Sequence, residues 1–272
     1  MIDLAPLWDF DDAEGSERRF RDAAADATGA DRLVLLSQVA RALGLQERFA
    51  EAHDTLDQVL AEPPTVDGAT MVAEARTVAD PDEAPGVDAE VSTRVALERG
   101  RLFRSAGRPD EARPLFEAAV AEASRAGMDE LLVDALHMVA LVVPADEQRE
   151  LLDQALEVAR ASPDPAARRW EASLLNNLGM THADAGEWPT ALAVFEQALA
   201  ARRLTGRVGD VRIARWMVAW ALRNLGRTGE ALAIQRELKA ELLAAEQADP
   251  YVDEELQLLA GGPDSPTPVP PS

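Results

Sequence analysis

The chain repeats one pattern of glycine, alanine and large apolar residues, and this recurrence constrains its fold more than any other feature. In the clearest copy, Leu174 to Arg203, Gly186 is followed by Ala191, and Gly226 and Ala231 repeat that pair 40 positions later. Fainter copies are marked by Gly100, Phe103, Gly107, Ala112, Phe116 and Ala119, by Leu36, Leu43, Phe49, Ala52, Leu56 and Val59, and by Leu136 to Ala155 with Pro144 in place of the turn glycine. Small residues let two helices approach and large ones fill the gap, so each copy predicts a helical hairpin.

The pattern resembles the tetratricopeptide repeat, a helix-turn-helix unit of about 34 residues. The positions that carry the resemblance are Leu178, Gly179, His182, Ala191, Phe195 and Ala198. Copies extend over roughly residues 31–247, and because their spacing exceeds the usual repeat, we expect lengthened helices. The resemblance implies an all-α fold, a right-handed α-solenoid of about five helical hairpins with N- and C-terminal capping helices.

The chain is predicted to be one architectural unit. Its predicted segments are 1–30, an N-terminal segment with a capping helix; 31–247, the solenoid; 248–260, a C-terminal capping helix; and 261–272, a disordered Pro-rich tail. Helix pairs are predicted at about 31–61, 88–126, 128–161, 166–205 and 207–247. A Pro- and Gly-rich insertion at 62–89, with a predicted helix near 69–79, is the best loop or hinge candidate.

Composition argues against catalysis and against most metal sites. Cysteine is absent from all 272 residues, which excludes disulfides and thiolate ligands. The sequence contains no P-loop, GxGxxG, GxSxG or HExxH motif, and its histidines, His53, His137 and His182, fall in different repeats. We therefore predict that the chain is not an enzyme and binds no cofactor and no metal. A buried carboxylate pair in a closed pocket would be evidence for an enzyme.

Charge and hydropathy limit the partners. The formal net charge of −22 repels phosphate backbones and anionic membrane surfaces, so neither nucleic acid nor a membrane is an expected partner. The acidic first residues lack a signal-peptide pattern, and no apolar run approaches about 18 residues, so we expect a cytoplasmic protein. Self-association stays open, because the predicted closing helix with Tyr251, Val252 and Leu256 either covers the last repeat or pairs with another copy.

The resemblance also implies a concave groove, formed mainly by the first helix of each hairpin, that binds an extended peptide or a helix. The side chains predicted to line it are Arg41, Arg94, Arg101, Arg104, His137, Asn176, Asn177, Trp216, Trp220, Arg223 and Asn224. Arginines suit carboxylates, asparagines suit backbone amides, and tryptophans suit an apolar side chain.

Each of these assignments has a structural alternative. Glu98 is spaced to form intrahelical ion pairs with the arginines of its helix, and Asp134 with His137 forms an i,i+3 pair. Asn177 suits a local structural hydrogen bond as well as a ligand contact. Trp216 and Trp220 could both pack against neighbouring helices.

Two functions follow from the resemblance. The first is a non-catalytic protein–protein interaction module that binds a peptide or acidic segment of a partner in its concave groove. The alternative is a regulatory sensor that changes superhelical shape on binding a peptide, with the insertion at 62–89 as its moving element. An adaptor can remain rigid on binding, whereas a sensor must change shape.

Overall fold

The computed structural model describes residues 2–62, 89–205 and 207–261, and no residue in those ranges belongs to a β-strand. After a short 3-10 turn at Ala5–Leu7, the helices are α1 (Ala13–Asp26), α2 (Gly29–Leu45), α3 (Phe49–Ala61), α4 (Ala89–Ser105), α5 (Pro109–Ala126), α6 (Asp129–Ala140), α7 (Ala145–Ala161), α8 (Pro165–Arg168), α9 (Glu171–Asp184), α10 (Trp188–Thr205), α11 (Val208–Asn224), α12 (Thr228–Ala244) and α13 (Pro250–Gly261). The all-α class is confirmed. The helix predicted near 69–79 and the tail after residue 261 lie outside the described residues.

The helices form two compact units, Met1–Pro144 and Ala145–Ser272. In the N-terminal unit, α2 pairs with α3 and α4 with α5, while α1 packs on α2 and α6 on α5. In the C-terminal unit, α9 pairs with α10 and α11 with α12, while α7 packs on α9 and α13 on α12. The first helices of neighbouring hairpins also touch, as α2 and α4 do.

The hairpin turns share one backbone geometry. Gly107, Gly186 and Gly226 have positive φ angles of 74°, 73° and 74°. The residue after each glycine returns its N–H to the end of the preceding helix, as Glu187 does to the His182 carbonyl at 2.8 Å, which is a Schellman motif. Glu47 takes the same left-handed geometry, with φ of 58°, in the first hairpin. That turn therefore lacks the glycine that marks the others in the sequence.

In the hairpins α4–α5 and α9–α10, a phenyl ring packs directly on a glycine. Phe116 lies against Gly100 and Phe195 against Gly179, and both rings are fully buried. A Cβ atom added to Gly179 would lie 2.5 Å from Cε1 of Phe195, a distance that real Cβ contacts do not reach. The glycine thus lets the two helices of a hairpin approach closely while the ring fills the space between them.

The hairpins α2–α3 and α11–α12 have an alanine in place of the glycine and a smaller side chain in place of the phenylalanine. Ala40 and Leu56, and likewise Ala219 and Gln235, have the sequence separation of the glycine–phenylalanine pairs, and all are fully buried. The extra methyl group of alanine accompanies a smaller partner than phenylalanine, as expected in a close-packed interior.

Gly179→Ala should lower the free energy of unfolding by about 1–3 kcal/mol, because its methyl group overpacks the site of Phe195. Gly209→Ala is the matched control in the same unit, since a Cβ there meets nothing within 4 Å and gains helix propensity of up to about 1 kcal/mol. Urea unfolding followed by circular dichroism measures both changes. Equal stability of the two variants would show that the glycine–ring contact is misplaced.

Candidate functional site

A cluster of arginines and carboxylates joins the first helices of the N-terminal unit. On α4, Arg101 donates from Nη2 to both carboxylate oxygens of Asp134 on α6, at 2.5 and 2.6 Å. Its Nη1 donates to Oε1 of Glu98 at 2.6 Å. Arg41 on α2 lies 3.9 Å from the same Glu98 oxygen. We call these four residues the arginine cluster, and they connect α2, α4 and α6.

The arginine cluster is largely buried. The side chains of Glu98 and Asp134 are 3% and 7% exposed, and that of Arg101 is 15% exposed. Burial raises the pKa of Asp134, but the charges of Arg101 and Arg41 outweigh it and hold that pKa below its ordinary value. The Asp134 carboxylate therefore stays ionised and holds the guanidinium group of Arg101 in place.

His137 and Arg104 lie at the edge of the arginine cluster. Burial lowers the pKa of His137; Asp134 acts in the opposite direction, and the charges of Arg101 and Arg104 lower the pKa further. This imidazole is therefore neutral at pH 7. Arg104 is exposed to solvent. Arg94 donates to Glu90 of its own helix at 2.9 Å. The two residues are four positions apart, so they form an intrahelical ion pair.

The chain's own residues 2–12, here called the N-terminal segment, cover the α2 side of the cluster. The guanidinium carbon of Arg41 lies 5.4 Å from the ring centroid of Trp8 and 5.7 Å from that of Phe10. The Trp8 indole N–H donates to Oε1 of Gln38 on α2 at 3.3 Å. A predicted groove residue is thus in contact with an aromatic segment of the same molecule.

In the C-terminal unit, the predicted residues of α11 hold helix α13. Arg223 donates from Nε and Nη2 to the carboxylate of Glu255 at 2.8 to 3.2 Å. The Glu255 side chain is fully buried and that of Arg223 is 14% exposed. Trp216 donates its indole N–H to the carbonyl of Tyr251 at 3.2 Å. Helix α13 therefore covers the last hairpin through both charge and backbone recognition.

The two predicted tryptophans of α11 are buried inside the protein. Trp216 and Trp220 are 2% and 4% exposed and belong to the core of the C-terminal unit, where Trp220 packs edge-on against Trp188. Asn224 donates to the Trp220 carbonyl at 2.8 Å. Both tryptophans therefore pack in the core, which was the structural alternative to a ligand contact.

Asn176 and Asn177 lie on α9 and are both partly buried. The carbonyl of Asn177 accepts a hydrogen bond from the Thr181 hydroxyl at 3.0 Å. The predicted residues therefore fall into separate groups on separate units, and their roles in ligand binding stay predictions.

Sequence reasoning missed the partners that the molecule itself provides. Trp8 and Phe10 were not among the predicted residues, although two aromatic residues two positions apart stand out in a chain with 4% aromatic residues. Glu255 carried no signal of its own, because it is one of many acidic residues and only the docking of α13 brings it to Arg223.

Neither a metal-binding cluster nor a membrane-spanning helix occurs among the described residues. No group of three or more His, Cys, Asp or Glu side chains there is arranged to hold a metal ion. None of the described helices combines the length and the apolarity needed to cross a bilayer.

Sequence comparison supports the repeat assignment in the C-terminal unit. The tetratricopeptide repeat family model matches residues 145–203 and 170–239. No curated protein sequence matches the chain.

Solved structures match the fold more widely. BtubC (BKLC) from P. vanneervenii is 19% identical, with a TM-score of 0.62 over 92% of this chain and 95% of its own. A Podosopora anserina putative kinesin light chain with nearly identical TPR-like repeats is 20% identical, with a TM-score of 0.57 over 80% of this chain and 98% of its own. A signal transduction ATPase with a tetratricopeptide repeat sensor, from Pyrococcus horikoshii, is 11% identical, with a TM-score of 0.65 over 91% of this chain but 34% of its own.

Arg223→Ala should lower the free energy of unfolding by about 3–5 kcal/mol, because it leaves the buried carboxylate of Glu255 without its counter-charge. Replacing both partners with leucine should restore much of the loss. Arg227→Ala is the control, because its pair with Glu230 is 47% and 59% exposed and such surface pairs contribute little to stability. Urea unfolding of the variants decides, and similar losses for Arg223→Ala and Arg227→Ala would contradict the buried pair.

Acidification from pH 7.5 to 5 should destabilise the protein through its buried imidazoles. The pKa of His137 is lowered from about 6.5 in the folded state, so the unfolded chain binds more protons and stability falls as the pH drops below 6.5. The pKa of His53 is lowered by burial as well and acts in the same direction. His137→Gln should therefore reduce, but not abolish, the slope of unfolding free energy against pH. An unchanged slope would contradict the burial of His137.

Proposed function

Since residues 145–239 are tetratricopeptide repeats, we propose that this chain is a non-catalytic protein–protein interaction module that binds a peptide or acidic segment of a partner protein. The observation that carries the proposal is the arginine cluster with Arg104 at its edge. The guanidinium groups of Arg41 and Arg101 both lie beside Glu98, and Arg104 follows Arg101 by three residues on α4, where its charge lowers the pKa of His137. These arginines lie in a chain whose formal net charge is −22.

The cluster provides prepositioned charge rather than free charge. Glu98 and Asp134 hold the guanidinium of Arg101, so its rotamer is set before any ligand arrives. Ordering a long side chain at an interface ordinarily costs about 0.5–1.5 kcal/mol, and a surface already ordered avoids that cost. Arg41 and Arg104, which are more exposed than Arg101, are then the side chains that a partner carboxylate reaches first.

Charge also selects where such a partner binds. An acidic segment is repelled by most of this chain, because like charges raise the energy of approach. On the first-helix face of the N-terminal unit, Arg41, Arg101 and Arg104 act beside Glu98, Asp134 and Glu130, so the guanidinium groups offset that repulsion locally. Arg41 and Arg104 therefore orient the bound partner segment and select acidic segments over others. The buried carboxylates hold the neighbouring arginine side chains in position.

A regulatory sensor is the second candidate function. It is favoured by the fold likeness to a protein described as a signal transduction ATPase with a tetratricopeptide repeat sensor. It is also favoured by the internal contacts at the predicted residues, because Arg223 binds Glu255 and Arg41 contacts Trp8. A ligand that displaces such a contact changes the conformation of the protein, whereas an adaptor binds without that change. Small-angle scattering with and without the partner separates the two functions.

Arg104→Glu should weaken binding of the partner by at least about tenfold, with stability changed by no more than about 0.5 kcal/mol, since the residue is exposed. The partner is first captured from a lysate of the source organism and purified, and its dissociation constant is then measured by calorimetry. Arg101→Glu is unsuitable for this test, because it would place a third carboxylate beside Glu98 and Asp134 in a buried site.

Arg125→Glu is the matched control for this experiment. It makes the same change in net charge on the second helix α5, where the Arg125 side chain is 71% exposed. Equal weakening by both reversals would mean that only the overall charge matters, and unchanged binding in Arg104→Glu would overturn the proposed site.

A further inference from the structure

The N-terminal segment is held as a protein holds a peptide ligand. Arg19 on α1 donates from Nε to the carbonyl of Leu7 at 3.0 Å. The N–H of Asp9 donates to Oγ of Ser16 at 2.9 Å, and the Ser16 hydroxyl returns a hydrogen bond to the Asp9 carbonyl at 2.9 Å. Leu7 and Asp9 of the segment are thus recognised through their backbone groups, and such contacts do not depend on the side chains of those residues.

The side chains between those backbone contacts supply selectivity. Trp8 has extended geometry, with φ of −87° and ψ of 132°, and a turn at Phe10 and Asp11 follows it, in which the Asp12 N–H donates to the Asp9 carbonyl at 3.2 Å. The rings of Trp8 and Phe10 stack in parallel, with centroids 4.9 Å apart and planes inclined by 2°. Arg41 contacts both rings, and the buried Phe20 of α1 meets Trp8 edge-on at 4.9 Å.

These contacts define a built recognition site between α1 and α2. Ser16 and Arg19 on α1 read the backbone, while Gln38 and Arg41 on α2 and Phe20 on α1 contact the aromatic side chains. Ser16 and Phe20 are fully buried, and Gln38 is 2% exposed. We call this surface the α1–α2 cleft.

The occupant of the cleft is held less completely than α13 is held in the C-terminal unit. Phe10 is 63% exposed, and Trp8 is partly buried. In α13, by contrast, Val252 is 2% exposed and Glu255 is fully buried. Buried apolar area and a desolvated ion pair are what make a docked segment costly to remove. The N-terminal segment is therefore the exchangeable one of these two occupants.

We propose that the α1–α2 cleft is a recognition site for a partner segment carrying two aromatic side chains two positions apart, and that the N-terminal segment is its resident competitor. This inference rests on the proposed interaction function, and it adds the chemical class of the partner. Arg41 belongs both to the cleft and to the arginine cluster, so a bound segment extends from the aromatic site toward Arg101 and Arg104.

Tethering determines how strongly the resident segment competes. A segment joined to its site by a short linker acts at an effective concentration in the millimolar range. A free peptide of the same sequence must exceed that concentration before it occupies the cleft. The intact chain therefore binds such a peptide weakly, and a chain whose own rings are removed binds it more tightly.

The test uses a fluorescently labelled synthetic peptide with the sequence of residues 2–11, titrated with the full chain and followed by anisotropy. Trp8→Ala/Phe10→Ala should bind the peptide at least about tenfold more tightly than the intact chain. Adding Arg41→Ala to that variant should reverse the gain, whereas adding Arg18→Ala, on an exposed position of α1, should leave it. Equal affinity of the intact and ring-deleted chains would overturn the inference.

A second measurement covers the case in which the ring-deleted variant fails to fold. Hydrogen exchange of the intact chain is followed with unlabelled peptide above the millimolar effective concentration of the tethered segment, and the amides of residues 7–10 should exchange faster as the resident segment leaves. A peptide with both aromatic residues replaced by alanine should have no such effect. Unchanged exchange with both peptides would overturn the inference. A concentration-dependent dimer in which the segment stays protected would overturn it too, because a second copy of the chain would then occupy the cleft.

The two proposals fail in different ways. If the peptide does not bind but the purified partner still depends on Arg104, the aromatic cleft is wrong and the interaction function stands. If the peptide binds through Arg41 while Arg104→Glu leaves partner binding unchanged, the cleft stands and the arginine cluster is not the partner's site.

Discussion

Close approach of the two helices in each hairpin is the constraint on which the rest of the structure depends. Phe195 can pack on α9 only because residue 179 has no side chain, and Ala191 faces the partner helix fully buried. This fit sets which helix faces point inward, because an α-helix that buries one stripe must present the others elsewhere. The arginines of the first helices and the carboxylates of their neighbours face one another as a result.

Once the helices are paired, the polar groups between first helices have to satisfy one another. Arg101 on α4 meets Asp134 on α6 in the N-terminal unit, and Arg223 on α11 meets Glu255 on α13 in the C-terminal unit. A buried guanidinium without a carboxylate would cost several kcal/mol, so these pairs are a structural requirement as well as a source of fixed charge. Arg41 and Arg104 are more exposed than Arg101, and these two arginines and the aromatic rings beside Arg41 are the proposed binding groups.

The sequence predicted the helices and their turns well, and it predicted partners poorly. Helical period, alanine content and turn glycines act over a few residues, so Gly107 and Gly186 could be placed as turns from their spacing alone. The first hairpin has the same turn without the glycine, because Glu47 takes the left-handed geometry. Trp216 was a candidate for a ligand or for the core, and burial among the helices of the C-terminal unit places it in the core.

What the sequence by itself determined is the helical hairpin, since the volumes of residues 16 apart decide how closely two consecutive helices pack. What only the tertiary structure decided is which charged and aromatic side chains are already engaged. Trp8 reaches Arg41, and Glu255 reaches Arg223, over separations of 33 and 32 residues. Residue type alone does not predict contacts over such sequence separations, because any acidic or aromatic residue of the chain could be the partner of an arginine. Only the packing of the helices determines which one it contacts.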